Sequence, residues 1–109
     1  LLAIRPPPTA VVVATDLMAV GILFAAHEAG TAVPHDMSVT GFDDLHIARE
    51  STPALTTVRN HPRDMGSTAV QRLIARLDGD ESPAQHVRLG VSLVIRDSTR
   101  LEPVHEFVA

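Results

Sequence analysis

The stretch from Ala10 to Gly30 constrains the fold more than any other part of this chain. Ala10-Val11-Val12-Val13-Ala14 is an unbroken apolar run rich in β-branched residues. A strand without polar alternation is the kind found in parallel sheets, where both faces are covered. Thr15-Asp16 follow at once, two side chains suited to capping a helix, and either could be the cap. The helix then runs from Leu17 to Ala29 and stops at Gly30, a residue that tolerates the left-handed turn at a helix end.

The rest of the chain repeats this alternation. Ser38 to Phe42 reads as a short strand with Asp43-Asp44 at its carboxyl end, and Leu45 to Glu50 as an irregular or helical stretch. Leu55 to Arg59 is a third strand, ending at Asn60. His61-Pro62-Arg63-Asp64 opens a second long helix, with proline in its first turn and an acidic side chain favourable to the helix dipole. Its apolar stripe is Met65, Ala69, Leu73 and Leu77, flanked by Val70 and Ile74, and it ends near Gly79. His86 to Leu89 and Val91 to Arg96 are two further strand candidates, separated by Gly90. Leu1 to Pro8 reads as a connector and Leu101 to Ala109 as a tail. The order β-α-β-β-α-β-β predicts an α/β fold with a mainly parallel sheet flanked by helices.

Composition narrows the function. The 109 residues carry a formal charge of −4, and all nine basic residues are arginines scattered from Arg5 to Arg100. No patch is built to grip phosphates, so any DNA binding is expected from residues outside this chain. Without cysteine there is no disulfide framework or thiolate zinc site, and cytoplasm is the default compartment. No apolar run is long enough to cross a bilayer, and the opening residues do not read as a charged n-region followed by an apolar h-region. The six histidines, His27, His35, His46, His61, His86 and His105, lack metal-ligand spacing. No nucleophile elbow or phosphate-cradling glycine loop occurs, so neither catalysis nor a cofactor is expected.

Ligands of open parallel sheets bind beyond the carboxyl ends of the strands. Three pairs stand there: Thr15-Asp16, Asp43-Asp44 and Arg59-Asn60. Mixed carboxylate, amide and guanidinium groups suit a neutral polyol, whose hydroxyls both donate and accept. Asp43 is the leading candidate, the alternative being a solvent-facing loop Asp; Asp16 is equally explained as a cap, and Arg59 and Asn60 as strand terminators. The first helix raises a separate question. From Leu17 to Ala29 only His27 and Glu28 are plainly polar, a wider apolar surface than one sheet contact requires. Either other parts of the same protein cover it, or its outer face near Val20 and Phe24 meets a second subunit.

Four blocks carry a family resemblance. Val13 to Gly21 resembles the "AND-x-MA-x-G" signature of LacI/GalR regulators, and Val33 to Asp44 their "VP-x-D-x-SV-x-GFDD". Thr52 to Val58 is similar to "TPPLTTV", and Leu93 to Thr99 to "LVVREST". The resemblance implies the C-terminal portion of a bilobed, type I periplasmic-binding-protein-like effector domain. Residues 1–60 and 91–100 would lie in the C-terminal lobe and 61–90 in the N-terminal lobe, with the DNA-binding headpiece absent. It further implies a homodimeric repressor responding to a small effector such as a sugar, and acting on DNA through that headpiece. A periplasmic sugar-binding protein of an ABC-type transporter shares the fold and is the alternative. By position, Asp43 matches the Asp that bonds effector hydroxyls, Asn60 a polar pocket position often occupied by Gln, and Val20 an apolar dimer position. The chain departs at Thr15, where the family usually has Asn, and at Ser51, where some relatives place an interface aromatic.

Overall fold

The structure, a computed structural model, describes residues 3–100. In chain order its elements are β1 (Ala10–Val12), α1 (Asp16–Glu28), β2 (Ser38–Phe42), α2 (His46–Glu50), β3 (Thr56–Arg59), α3 (Pro62–Leu77) and β4 (Ser92–Val94). The strands form one sheet in the order β1-β2-β3-β4. β1, β2 and β3 run parallel, in a register that pairs Val12 with Thr40 and Phe42 with Val58. β4 closes the edge antiparallel to β3, with Leu93 opposite Val58. The mainly parallel α/β architecture expected from the sequence is therefore present.

α1 lies on one face of the sheet, over β2 and against α2. Its inward residues Ala19, Leu23 and Ala26 pack with Val13, Met37, Val39, Ala48 and Leu55 to form the core. The alanines matter because they let the helix axis come close. At the point of nearest approach the facing strand residue is Gly41, with no room for a side chain.

The other sheet face is open. Val12 is 86% exposed, and Phe42 and Leu93 on the same face are also exposed. The run Ala10 to Ala14 is thus covered on one side only, and its strand is shorter than the apolar run suggested, ending at Val12.

Two expectations about the C-terminal half have different outcomes. α3 forms as predicted, with Pro62 at its start, Asp64 in its first turn and Arg76 in its last. None of its residues is buried, however, and Met65, Val70, Leu73, Ile74 and Leu77 are all more than half exposed. His86 to Leu89 forms no strand. A strand exists only through its ladder of hydrogen bonds, and none of the four strands of the sheet pairs with this segment. The chain is less compact than a closed domain: its radius of gyration is 19.0 Å, against about 13 Å for a compact chain of 100 residues.

Candidate functional site

Because β1, β2 and β3 are parallel, their carboxyl ends emerge side by side, and the three predicted pairs meet on one rim. Each has a different fate there. Thr15 is the cap of α1: its backbone is extended and its hydroxyl accepts a hydrogen bond from the Met18 N–H at 3.3 Å. Asp16 is the first residue of the helix and not its cap. It is fully buried over Gly41. One carboxylate oxygen accepts from the Thr57 hydroxyl at 2.5 Å and the other from the Leu45 N–H at 2.7 Å. The expectation that Asp16 caps the helix is corrected accordingly: a shift of one residue along the helix start turns its side chain inward, where it ties α1 to β3 and to the start of α2.

Asp43 and Asn60, at the ends of adjacent strands, are brought together. The Asn60 amide donates to one Asp43 carboxylate oxygen at 2.8 Å, and both residues are half-buried. The Asp43 N–H donates to the Val58 carbonyl at 2.9 Å, which fixes the chain as it leaves β2. No buried side-chain polar atom among the described residues lacks a partner. The second Asp43 oxygen and the Asn60 carbonyl, which take no hydrogen bond among those residues, are therefore at the surface. Together they present two acceptors, with the amide N–H₂ beside them as a donor. A mainly apolar groove of about 560 Å³ adjoins them, lined by Phe42, Asn60, Met65, Ala69, Leu89 and Val91 among others.

Asp44 points elsewhere and was not foreseen as a centre of interactions. Its carboxylate is 2% exposed and receives three guanidiniums: Arg59 at 2.6 Å, Arg49 at 3.3 Å, and Arg96. Arg96 also donates to the Leu55 carbonyl at 2.7 Å. Burial pushes the Asp44 carboxyl up, but the hydrogen bonds from Arg96, Arg59 and Arg49 outweigh it and hold the pKa at about 2. Arg59, a rim candidate on sequence grounds, is thus engaged by Asp44. Only alternation hinted at this, since neighbours at a strand end point in different directions. Ser98 was missed as well. Buried, it bonds the Val39 carbonyl at 2.6 Å and the Thr56 N–H at 2.8 Å, stitching β2 to β3.

A second surface gathers Val20, Phe24 and Ser51. With Leu23, His27 and Thr52 they line a shallow depression of about 360 Å³ on the outer side of α1. Phe24 is 68% exposed there, and Leu17 and Met18 on the same helix are also exposed. The Ser51 hydroxyl is turned inward, to the Ala48 and Pro53 carbonyls. Among the described residues no group of three or more His, Asp or Glu could hold a metal ion, and no helix is long and apolar enough to cross a membrane.

Residues 1–99 match the family described as the periplasmic binding protein-like domain. The chain is 37% identical over 107 residues to the HTH-type transcriptional repressor PurR of Erwinia tasmaniensis, covering 98% of this chain and 31% of that protein. To the HTH-type transcriptional regulator MalR of Streptomyces coelicolor it is 42% identical over 95 residues, covering 87% and 28%. The chain thus spans about a third of the length of the curated relatives it matches. Among solved structures it is similar to the Lac repressor dimer bound to operator and the anti-inducer ONPF, with a TM-score of 0.77 and 40% identity over 85% of this chain and 32% of that one. It is also similar to the complex of the transcriptional regulator CelR with cellobiose, with a TM-score of 0.79 and 31% identity over 83% and 28%. With its strand order and these matches in agreement, the chain belongs to the periplasmic binding protein-like domain family.

Proposed function

We propose that this chain is the effector-sensing and dimerisation part of a DNA-binding repressor, and that Asp43 and Asn60 grip the hydroxyls of a sugar or similar small polar metabolite. The observation that carries this is the Asp43–Asn60 pair, joined at 2.8 Å with further acceptor atoms at the surface. Thr15, half-buried on the same rim, is a further contact. Asp16 is a support beneath it. The effector lies between two lobes, with residues 1–60 and 91–100 in the C-terminal one and 61–90 in the N-terminal one. The lack of any buried residue on α3 supports this division, since an amphipathic helix forms such a stripe to cover it. Val20, Phe24 and Ser51 form the contact with a second subunit.

Effector bound between lobes favours one angle between them, and in a dimer that angle sets the spacing of two DNA-binding headpieces. The response is limited to the difference in effector affinity between the two arrangements. The protein works in the cytoplasm, where its DNA is, and carries out no catalysis. The named relatives are transcription regulators, which favours this reading over a transport receptor of the same fold.

The test is calorimetric titration of the complete regulator with cellobiose, sucrose, maltose and ribose, alongside the Asp43→Ala variant. At least one saccharide should bind the wild type. Losing hydrogen bonds to a charged acceptor should weaken that binding by about 10- to 100-fold in the variant. Unchanged affinity in Asp43→Ala, or no binding of any of the four, would reject the assignment.

A further inference from the structure

Asp43 and Asp44 both adopt positive φ, at 106° and 52°. Side chains other than glycine rarely enter this region, and they persist there only where their surroundings over-determine the backbone. Two such residues in succession, one of them the proposed effector contact, require something to hold them. The hydrogen bond from the Asp43 N–H to the Val58 carbonyl fixes one side of the turn. The other side is fixed by the Asp44 side chain, whose guanidinium partners come from three separate places: Arg49 on α2, Arg59 at the end of β3, and Arg96 beyond β4. Arg96 is itself anchored, by its bond to the Leu55 carbonyl and by its N–H to the Thr56 hydroxyl at 2.9 Å. A carboxylate held from three directions cannot swing, so the backbone that carries it cannot relax to an ordinary φ.

We propose that Asp44 is a positioning residue for effector binding: clamped by Arg49, Arg59 and Arg96, it holds the Asp43–Asp44 backbone in its left-handed conformation and so aims the Asp43 carboxylate at the ligand. This rests on the reading of Asp43 as the effector contact. Asp44 itself touches no ligand, because its side chain is 2% exposed and both its oxygens are occupied. Its low pKa keeps it ionised, and the clamp closed, at every pH near neutrality.

The experiment compares wild type, Asp44→Asn and the milder Arg49→Gln, which removes only the most exposed arm, in the complete regulator. Residue-resolved hydrogen–deuterium exchange is the first readout. The Asp43 amide should exchange at least about tenfold faster in Asp44→Asn, and in the same direction but less in Arg49→Gln, while the core amides Val39 and Leu55 keep their protection. An unchanged Asp43 amide overturns the proposal. So does an equal loss of protection at Val39 and Leu55 in Arg49→Gln, which would make the cluster a general stabiliser. Titration with cellobiose, sucrose, maltose and ribose is the second readout. Asp44→Asn should weaken binding about tenfold in the wild-type background and change it by less than about twofold in Asp43→Ala, because it acts through Asp43. Equal weakening in both backgrounds would overturn the positioning role. Wild type that binds none of the four saccharides rejects the reading of Asp43 as effector contact, whatever the exchange data say of the clamp.

Discussion

Replacing Gly41 with alanine tests how α1 is locked to the sheet. A Cβ at this position would fall on the Asp16 carboxylate, 2.9 Å from the Leu55 side chain and 3.1 Å from the Asp16 Cα. The last of these is backbone and cannot swing away. Two responses are open to the protein. Parting the helix from the strand incurs the usual penalty of overpacking, about 1–3 kcal/mol. Turning Asp16 aside breaks its bonds from Thr57 and Leu45, each worth about 1.5–3 kcal/mol to a charged acceptor. The cheaper route sets the cost, at about 1–3 kcal/mol, a sizeable fraction of the roughly 5–15 kcal/mol that is typical of a whole domain. Urea unfolding of the complete protein should show it as a lower midpoint with little change in slope. Gly66→Ala is the control: it lies inside α3 with nothing near an added Cβ, and should gain about 0.5–1 kcal/mol. Shortening Asp16 to Ser in the Gly41→Ala background should cost less than the two single changes added together, since each then relieves the other. A Gly41→Ala midpoint within about 0.5 kcal/mol of wild type would refute the claim that close approach through Asp16 fixes the helix.

Three further outcomes are expected. The Asp44 pKa is lowered from 3.8 to about 2 in the folded protein, so its contribution is present in full above pH about 4 and is lost as the pH falls towards 2. With solvent screening the half-exposed arginines it is worth about 1–2 kcal/mol. Urea midpoints at pH 7, 4 and 2.5 should show this loss in wild type and not in Asp44→Asn. If Phe24 sits in the proposed contact with a second subunit, Phe24→Glu should weaken self-association of the complete protein at least about tenfold by sedimentation, and an unchanged mass distribution would remove α1 from that contact. Leu73→Glu on α3, where Leu73 is 60% exposed, should change the stability of the 109-residue chain by less than about 0.5 kcal/mol. In the complete protein the same change should cost about 2 kcal/mol or more; equal small effects would sink the assignment of residues 61–90 to the second lobe.

Most elements were legible because their ends are punctuated locally. Thr15 caps α1, Gly30 ends it with φ at 69°, Pro62 opens α3, and Gly79 follows it with φ at 98°. What sequence could not supply was the partner. The apolar alternation at His86 to Leu89 describes side chains suited to a sheet, but whether a strand exists depends on an edge to pair with. Asp16 was misplaced for a finer reason: Thr15 and Asp16 are equally good caps on paper, and the one-residue choice between them decides whether a carboxylate faces solvent or the core. The Asp44 cluster was out of reach. Its arginines lie as many as 52 residues away in sequence, and no local pattern links them.

The turn after β2 shows how these pieces combine. The Asp16 carboxylate holds it from beneath through the Leu45 N–H, the Val58 carbonyl holds the Asp43 N–H, and the arginines hold Asp44. Three acidic side chains thus converge on one short segment. Two of them, Asp16 and Asp44, have both oxygens occupied inside the protein. Only Asp43 keeps an acceptor at the surface. A ligand that meets this carboxylate finds it already ordered, so little binding energy is lost to fixing the loop. On the proposed reading, that free energy is available for closing one lobe on the other. The rigid segment is then the one tied by buried carboxylates, whereas α3, proposed to belong to the other lobe, has no buried residue.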